Sequence, residues 1–176
     1  MASSTTQTVQ SYFSSPCSEP QQKNDVFLSF RGEDTRDNFT NHLYHALKVK
    51  KIITFKDDTE LELGKPISPN LLEAIEKSRI AVVILSENYA SSPWCLDELV
   101  KIIECKERGL RVLPVFYHVE PEIVRHQKKT FAVAFAEHEN RVQKGQVEIW
   151  RKALIDVAEL AGKTLTNGYH LLIFLC

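Results

Sequence analysis

One carboxylate stands apart in this sequence by its surroundings. Glu98 follows an apolar run at residues 80–85, a short polar loop and the pair Ser92-Pro93. Together these read as a buried strand feeding a loop and a helix start. On that helix Glu98 lies about 100° round from Leu99. Its neighbours on the same face are Trp94 at i−4, Ile102 at i+4 and Cys105 at i+7. It is therefore expected at the border between core and solvent, beneath an aromatic ring. Partial desolvation tunes a carboxylate so placed, and the ring can stack on a flat heterocycle. The simpler reading is an acid favoured in the N-terminal half of a helix by the dipole. Taken alone, the position favours that simpler reading.

A second constellation is Arg31-Gly32-Glu33-Asp34-Thr35, directly after the apolar run Val26-Phe27-Leu28-Ser29-Phe30. It places a cation, a glycine and a helix start at the end of a strand. Helix starts attract anions through unpaired N–H groups, and Arg31 would add a bidentate phosphate donor. Equally, Glu33 and Asp34 cap the helix while Arg31 pairs with one of them. The stretch is neither GxGxxG nor a Walker loop, so it indicates neither hydride transfer nor P-loop hydrolysis.

The remaining candidates carry less. Asp97 is expected on the surface. Asp57, Asp58, Glu60 and Glu62 read as a solvated acidic loop without EF-hand spacing. The six histidines form no HxxxH or HExxH motif, and His42 and His45 face solvent from one helix. Trp150 with Ala153 and Val157 reads as core. Ser29, Ser86 and Ser92 lack the GxSxG setting of a serine hydrolase.

Strands and helices must alternate to place these groups. Strands are expected at residues 26–30, 52–55, 80–85, 112–117 and, more weakly, 164–166. Asp34 is expected to cap a helix with Phe39, Leu43 and Leu47 inward, at four-residue spacing. Ser68-Pro69 and Ser92-Pro93 are cap-and-first-turn pairs for the second and third helices, and Gly109 ends the third. Further helices are expected over residues 121–139, as one or two, and 146–160. Nearly continuous apolar strands separated by helices imply a parallel sheet covered on both faces. The expected fold is α/β, flavodoxin-like and three-layered, with five parallel strands in the order 2-1-3-4-5. Its switch point lies between the first and third strands, where ligands bind in such sheets.

The 176 residues suit one domain, with 43% hydrophobic and 26% charged residues. Residues 1–22, rich in Ser, Thr and Gln, are expected to be a disordered tail. The domain follows over 23–168, and a short apolar extension over 169–176. A net charge of −1 removes the drive of a general nucleic-acid binder. Cys17, Cys95, Cys105 and Cys176 show no metal spacing, and free thiols suit a cytosolic setting. Neither a secretory signal nor a membrane span is expected.

Taken together, the segments resemble the plant branch of the Toll/interleukin-1-receptor (TIR) domain family. They are Asp25-Val26-Phe27-Leu28-Ser29-Phe30-Arg31-Gly32-Glu33-Asp34-Thr35-Arg36, Ala74-Ile75-Glu76-Lys77-Ser78-Arg79-Ile80, Ser86-Glu87-Asn88-Tyr89-Ala90, Trp94-Cys95-Leu96-Asp97-Glu98-Leu99, Val112-Leu113-Pro114-Val115-Phe116-Tyr117 and Trp150-Arg151-Lys152-Ala153-Leu154. The resemblance implies a role in innate immune signalling. It also implies cleavage of NAD+ at the nicotinamide–ribose bond by a self-associated form. NAD+ is then substrate, and no permanently bound cofactor or metal is expected. The family's catalytic glutamate falls on Glu98, and its substrate-contacting positions on Phe30, Arg31, Gly32, Ser92 and Trp94. Its self-association surface and mobile loop fall on Asn41, His42, Asp57, Gly64, Lys65 and Pro66. Partners would be further copies and other TIR proteins, with no nucleic acid or membrane. The alternative is a non-enzymatic adaptor or decoy acting through TIR–TIR binding. The sequence departs from the family pattern at Asn41-His42, where Ser-His is usual, and at Leu63, where a basic residue is usual. It offers only residues 169–176 where a last helix is usual, and reads as TIR-only.

Overall fold

Five apolar stretches form one sheet of parallel strands in the computed structural model, which describes residues 23–56 and 68–165. They are β1 (Asn24–Phe30), β2 (Thr54–Lys56), β3 (Ser78–Leu85), β4 (Arg111–Tyr117) and β5 (Lys163–Leu165), in the order β2-β1-β3-β4-β5. The sheet order is the expected one. The strand bounds shift by a residue or two, as strand ends usually do. Register sets Ser29 opposite Val83, Val83 opposite Pro114 and Val115 opposite Lys163.

Strand alternation divides the core in two. Phe27, Ala81, Val83, Leu85 and Phe116 face one way, with α3 (Pro69–Glu76), α4 (Pro93–Lys106), α6 (Thr130–Glu139) and α7 (Lys144–Ala158) packed on them. Val26, Leu28, Phe30, Val82, Ile84 and Val115 face the other way, towards Phe39, Leu43 and Leu47. Ser29 shares the first face with Phe27, so β1 carries a fully buried hydroxyl into the α4 layer.

The first helical stretch departs from expectation. It is a short α1 (Gly32–Thr35), a π-helical turn over Arg36–Thr40 and then α2 (Asn41–Val49). Inside the turn Thr40 Oγ1 donates to Thr35 Oγ1 at 2.8 Å, both residues being fully buried. A π-turn brings residues five apart together, and this one seats that pair. Phe39, Leu43 and Leu47 are buried as expected. Asp34 is not the N-cap: that position is Arg31, without a side-chain cap bond. Asp34 is recruited across the sheet instead, by groups described below.

Both cap pairs form. Ser68 Oγ accepts from the Leu71 amide at 3.2 Å, and Ser92 Oγ from the Cys95 amide at 3.3 Å. After α4 the Leu110 amide donates to Cys105 O and the Gly109 amide to Lys106 O, with Gly109 at φ +105°. That is a Schellman closure, which glycine adopts without strain. Residues 121–139 give two helices, α5 (Pro121–Arg125) and α6. On α7 Trp150, Ala153 and Val157 are buried, but Ile149 is about half exposed.

One glycine is fixed by close approach. A Cβ on Gly162 would lie 2.6 Å from the carbonyl oxygen of Pro114 and 2.9 Å from Phe116 Cε2. Gly162→Ala is expected to lower stability by about 1–3 kcal/mol by pushing β5 off β4. Chemical denaturation reads this directly, and an unchanged midpoint would contradict the contact.

Candidate functional site

The site is assembled from two chain segments that meet at the switch point. Helix α4 lies over the middle of the sheet, flanked by α3 and α7. More than its core-facing stripe is therefore covered. Glu98 is only 3% exposed, so the expected border position is corrected: it is buried. Helical periodicity reports the side facing the sheet, and the neighbouring helices close over the adjacent side. Trp94 is half-buried at the helix start.

Glu98 Oε2 lies 2.6 Å from Ser29 Oγ, in hydrogen-bond contact. Ser29 Oγ lies 2.9 Å from the Tyr89 hydroxyl, which also donates to Cys95 O at 3.0 Å. All these groups are buried. Tyr89 belongs to the 3-10 turn (Tyr89–Ser91) between β3 and α4. In the sequence, Ser29 lacks a hydrolase motif and Tyr89 is part of a resembling segment; neither signals a link to Glu98. The available signal was alternation, because a polar Ser29 falls on the same inward face as Phe27.

Burial foremost, then the neighbouring Glu98 charge, pushes the Cys95 thiol up to about 12. It stays protonated and donates to Phe30 O at 3.6 Å. Cys105 is also free, and burial raises it too. Neither thiol is set up as a nucleophile.

At the end of β1 the Arg31 guanidinium pairs with Glu33 and, at 2.7 Å, with Asp34. Of the two readings left open, the structure shows the internal pairing. Asp34 also accepts from Ser86 Oγ at 2.6 Å and from the Asn88 amide at 3.2 Å. One carboxylate thus ties the β1 loop to the β3 loop across the switch point. Gly32 leaves room for Arg36, whose guanidinium would come within 2.6 Å of a Cβ there. The Phe30 ring lies on the α2 side of the sheet, opposite Glu98, and Arg36 sits 5.9 Å over it. Ser92 is occupied as the α4 cap.

Asn41 is half-buried and His42 exposed at the start of α2. Asp57, Gly64, Lys65 and Pro66 lie outside the described residues, as do the tail over 1–22 and the extension over 169–176. Among the described residues no cluster of ligating side chains could hold a metal ion. No helix there is long and apolar enough to cross a membrane.

Asp97 corrects a second expectation. It is half-buried rather than on the surface, and its Oδ1 accepts from Trp150 Nε1 at 2.7 Å and from Gln146 Nε2 at 3.0 Å. The tie joins α4 to α7 one residue before Glu98. Its partners lie about fifty residues downstream, beyond any local pattern. Burial raises the Asp97 carboxyl above its ordinary value, against the lowering effect of those two bonds. A carboxyl raised on folding makes the folded state bind the proton more tightly than the unfolded one. That relative stabilisation is present below the unfolded value, about 4, and is lost as pH rises through the folded value. Asp97→Asn keeps an acceptor oxygen and removes this loss. It is expected to melt at or above the wild type near neutral pH, with the difference narrowing towards pH ~4. Parallel melts across pH check it, and a constant difference would contradict the assigned cause.

A model of the TIR domain family matches residues 23–173. Over 150 residues the chain is 54% identical to disease resistance protein RUN1 of Vitis rotundifolia, covering 83% of this chain and 11% of the relative. Over 141 residues it is 55% identical to TMV resistance protein N of Nicotiana glutinosa, covering 78% and 12%. The chain thus spans about an eighth or less of the length of these curated relatives. Among solved structures, the TIR domains of the activated Roq1 resistosome, which directly recognises the pathogen effector XopQ, are 49% identical. They match with a TM-score of 0.78 over 87% of this chain and 98% of that one.

Proposed function

The chain belongs to the TIR domain family, in the branch found in plant disease-resistance proteins, and from that premise we propose that it cleaves NAD+ at the nicotinamide–ribose bond when self-associated, as a step in innate immune signalling. The observation that carries the reading is Glu98: a buried carboxylate at the switch point, held through Oε2 by a hydroxyl from β1.

The chemistry asks for one such group. Nicotinamide departs as a neutral molecule from a cationic ring, so no acid is needed to protonate it. What remains is an oxocarbenium-like ribosyl centre, which one carboxylate stabilises or captures. Water then completes the hydrolysis to ADP-ribose-type products. A glycosidase needs a second carboxylate to protonate its leaving oxygen, and this reaction does not. Trp94, at the start of α4, would stack on the nicotinamide. Arg31 would reach the ribose hydroxyls or pyrophosphate by exchanging Glu33 or Asp34 for substrate oxygens, which costs less at its exposed partner Glu33 than at Asp34.

Self-association is supported by the Roq1 neighbour, whose TIR domains belong to an activated resistosome. The two free thiols among the described residues suit a reducing compartment, and cytosolic placement is part of the same proposal. The test is nicotinamide release from NAD+ followed over a range of protein concentrations. Activity per molecule is expected to rise steeply with concentration. A constant value would remove the assembly requirement. No release at any concentration, with retained binding to other TIR domains, would favour the adaptor reading.

A further inference from the structure

We propose that Tyr89 and Ser29 are positioning residues for Glu98, joined to it in a buried hydrogen-bond chain that is complete only while Glu98 carries a proton. The inference rests on the reading of Glu98 as the reacting carboxylate.

The hydrogen-bond chain has more contacts than its hydroxyls have protons. Three contacts link the group: Glu98 Oε2 to Ser29 Oγ at 2.6 Å, Ser29 Oγ to the Tyr89 hydroxyl at 2.9 Å, and that hydroxyl to Cys95 O at 3.0 Å. A backbone carbonyl only accepts, so Tyr89 gives its single proton to Cys95 O. Ser29 must then donate to Tyr89, and Glu98 to Ser29. Three contacts need three protons, and the two hydroxyls supply two.

When Glu98 is ionised, Ser29 donates to it instead. Tyr89 can then serve Ser29 or Cys95 O but not both, and one contact is left with two acceptors face to face. Three neutral bonds are exchanged for one charge-assisted bond and one neutral bond. A charge-assisted bond is about twice as strong as a neutral one. Within this hydrogen-bond chain the two states thus differ little in summed bond strength, so deletion of a single link shifts the balance between them.

The neighbours hold the count fixed. Burial foremost, then Cys95 and Glu98, pushes the Tyr89 phenol well up, so it keeps its proton. On α4 the Cys95 thiol keeps its own on Phe30 O. Arg31 and Asp34, at the end of β1, are paired with each other, and their charges also reach Cys95. Cys95, Glu98, Arg31 and Asp34 are the titratable groups that act on Tyr89 and Cys95, from α4 and the turn after β1. With the phenol and the thiol both held protonated, Glu98 is the member of the chain whose proton count varies.

Tyr89→Phe deletes one oxygen and keeps the ring. The neutral state then loses two bonds and the ionised state one, so ionisation becomes easier. Ser29→Ala takes two neutral bonds from one state and the charge-assisted bond from the other, a near-even loss. The measurement is a pH titration of the Glu98 carboxyl carbon by NMR in glutamate-labelled protein, assigned by its absence in Glu98→Gln. The Tyr89→Phe midpoint is expected about one pH unit below wild type. The Ser29→Ala midpoint is expected within about half a unit of wild type. An unshifted or raised midpoint in Tyr89→Phe overturns the proposal. If that variant does not fold, Ser29→Ala decides alone: a rise of about a unit would mark Ser29 as a simple donor to the carboxylate and overturn the count. In nicotinamide release, the acid limb of kcat is expected to follow the Tyr89→Phe midpoint at unchanged KM. The titration needs no NAD+. The expected midpoints without nicotinamide release would therefore overturn the reading of Glu98 as the reacting group, and with it the positioning role, while the proton count stands.

Discussion

Glu98→Ala is expected to abolish nicotinamide release at every protein concentration, by at least about a thousandfold, or ~4 kcal/mol of transition-state stabilisation. A ribosyl cation has no other carboxylate in this cluster to meet it. Asp34, at the neighbouring loops, is held by Arg31, Ser86 and Asn88. The fold should survive, because the substitution removes a buried acid rather than a strut. Ser29, which then loses its carboxylate partner, still has the Tyr89 hydroxyl 2.9 Å away. Glu98→Gln makes the comparison stricter. It fills the same volume, keeps an oxygen for Ser29 and removes only the charge. Both variants should show wild-type circular dichroism and negligible turnover. Retention of more than a tenth of wild-type activity by either, at matched concentration, would remove Glu98 from the chemistry. Loss of activity together with loss of fold in Glu98→Ala would shift the decision to Glu98→Gln.

Trp150→Ala is expected to cost about 4 kcal/mol, a large share of the 5–15 kcal/mol that holds a domain together. Trp150 is 2% exposed, its ring meets His138 edge-on at 5.2 Å, and its indole N–H is one of two donors to Asp97. Truncation opens a cavity between α4, α6 and α7 and removes a donor from a half-buried carboxylate. The melting point should fall by roughly 10 °C. Trp150→Phe separates the two effects. It fills most of the space and leaves Gln146 on Asp97, so its expected cost is about 1–2 kcal/mol. Differential scanning calorimetry of the pair checks this. Equal losses in both variants would mean that the hydrogen bond, and not the packing, carries the cost. Because α4 also bears Glu98, nicotinamide release in Trp150→Phe should fall mainly through kcat.

His138 shows how such a site escapes a linear reading. Its ring is buried against Phe135 and Trp150, with Nε2 2.8 Å from Ala90 O. A lone histidine on a helix gives no hint of a carbonyl forty-eight residues upstream. Asp34 is a similar case. Its type and place suit a helix cap, and that local role lost to four donors supplied by Ser86, Asn88 and Arg31. The continuous helix expected around it was broken by Thr35 and Thr40, whose hydroxyls pair only if the backbone widens into a π-turn. In each case a local preference of about 1 kcal/mol met a tertiary hydrogen bond of similar size, and burial decided between them.

By itself, the sequence determined the order of elements, the parallel sheet and its strand order, the two serine–proline helix starts and the glycine that closes α4. These follow from apolar periodicity, cap chemistry and the handedness of crossovers, all of which are written in neighbouring residues. Tertiary structure alone decided that Glu98 is buried rather than at a border, that it bonds Ser29, itself in contact with Tyr89, and that Asp97 is a tie rather than a surface charge. Periodicity shows which face of a helix meets the sheet, but not how far the flanking helices close over its sides. Ser29 stands sixty-nine residues from Glu98, and only the folded sheet brings its hydroxyl within hydrogen-bond reach of that carboxylate.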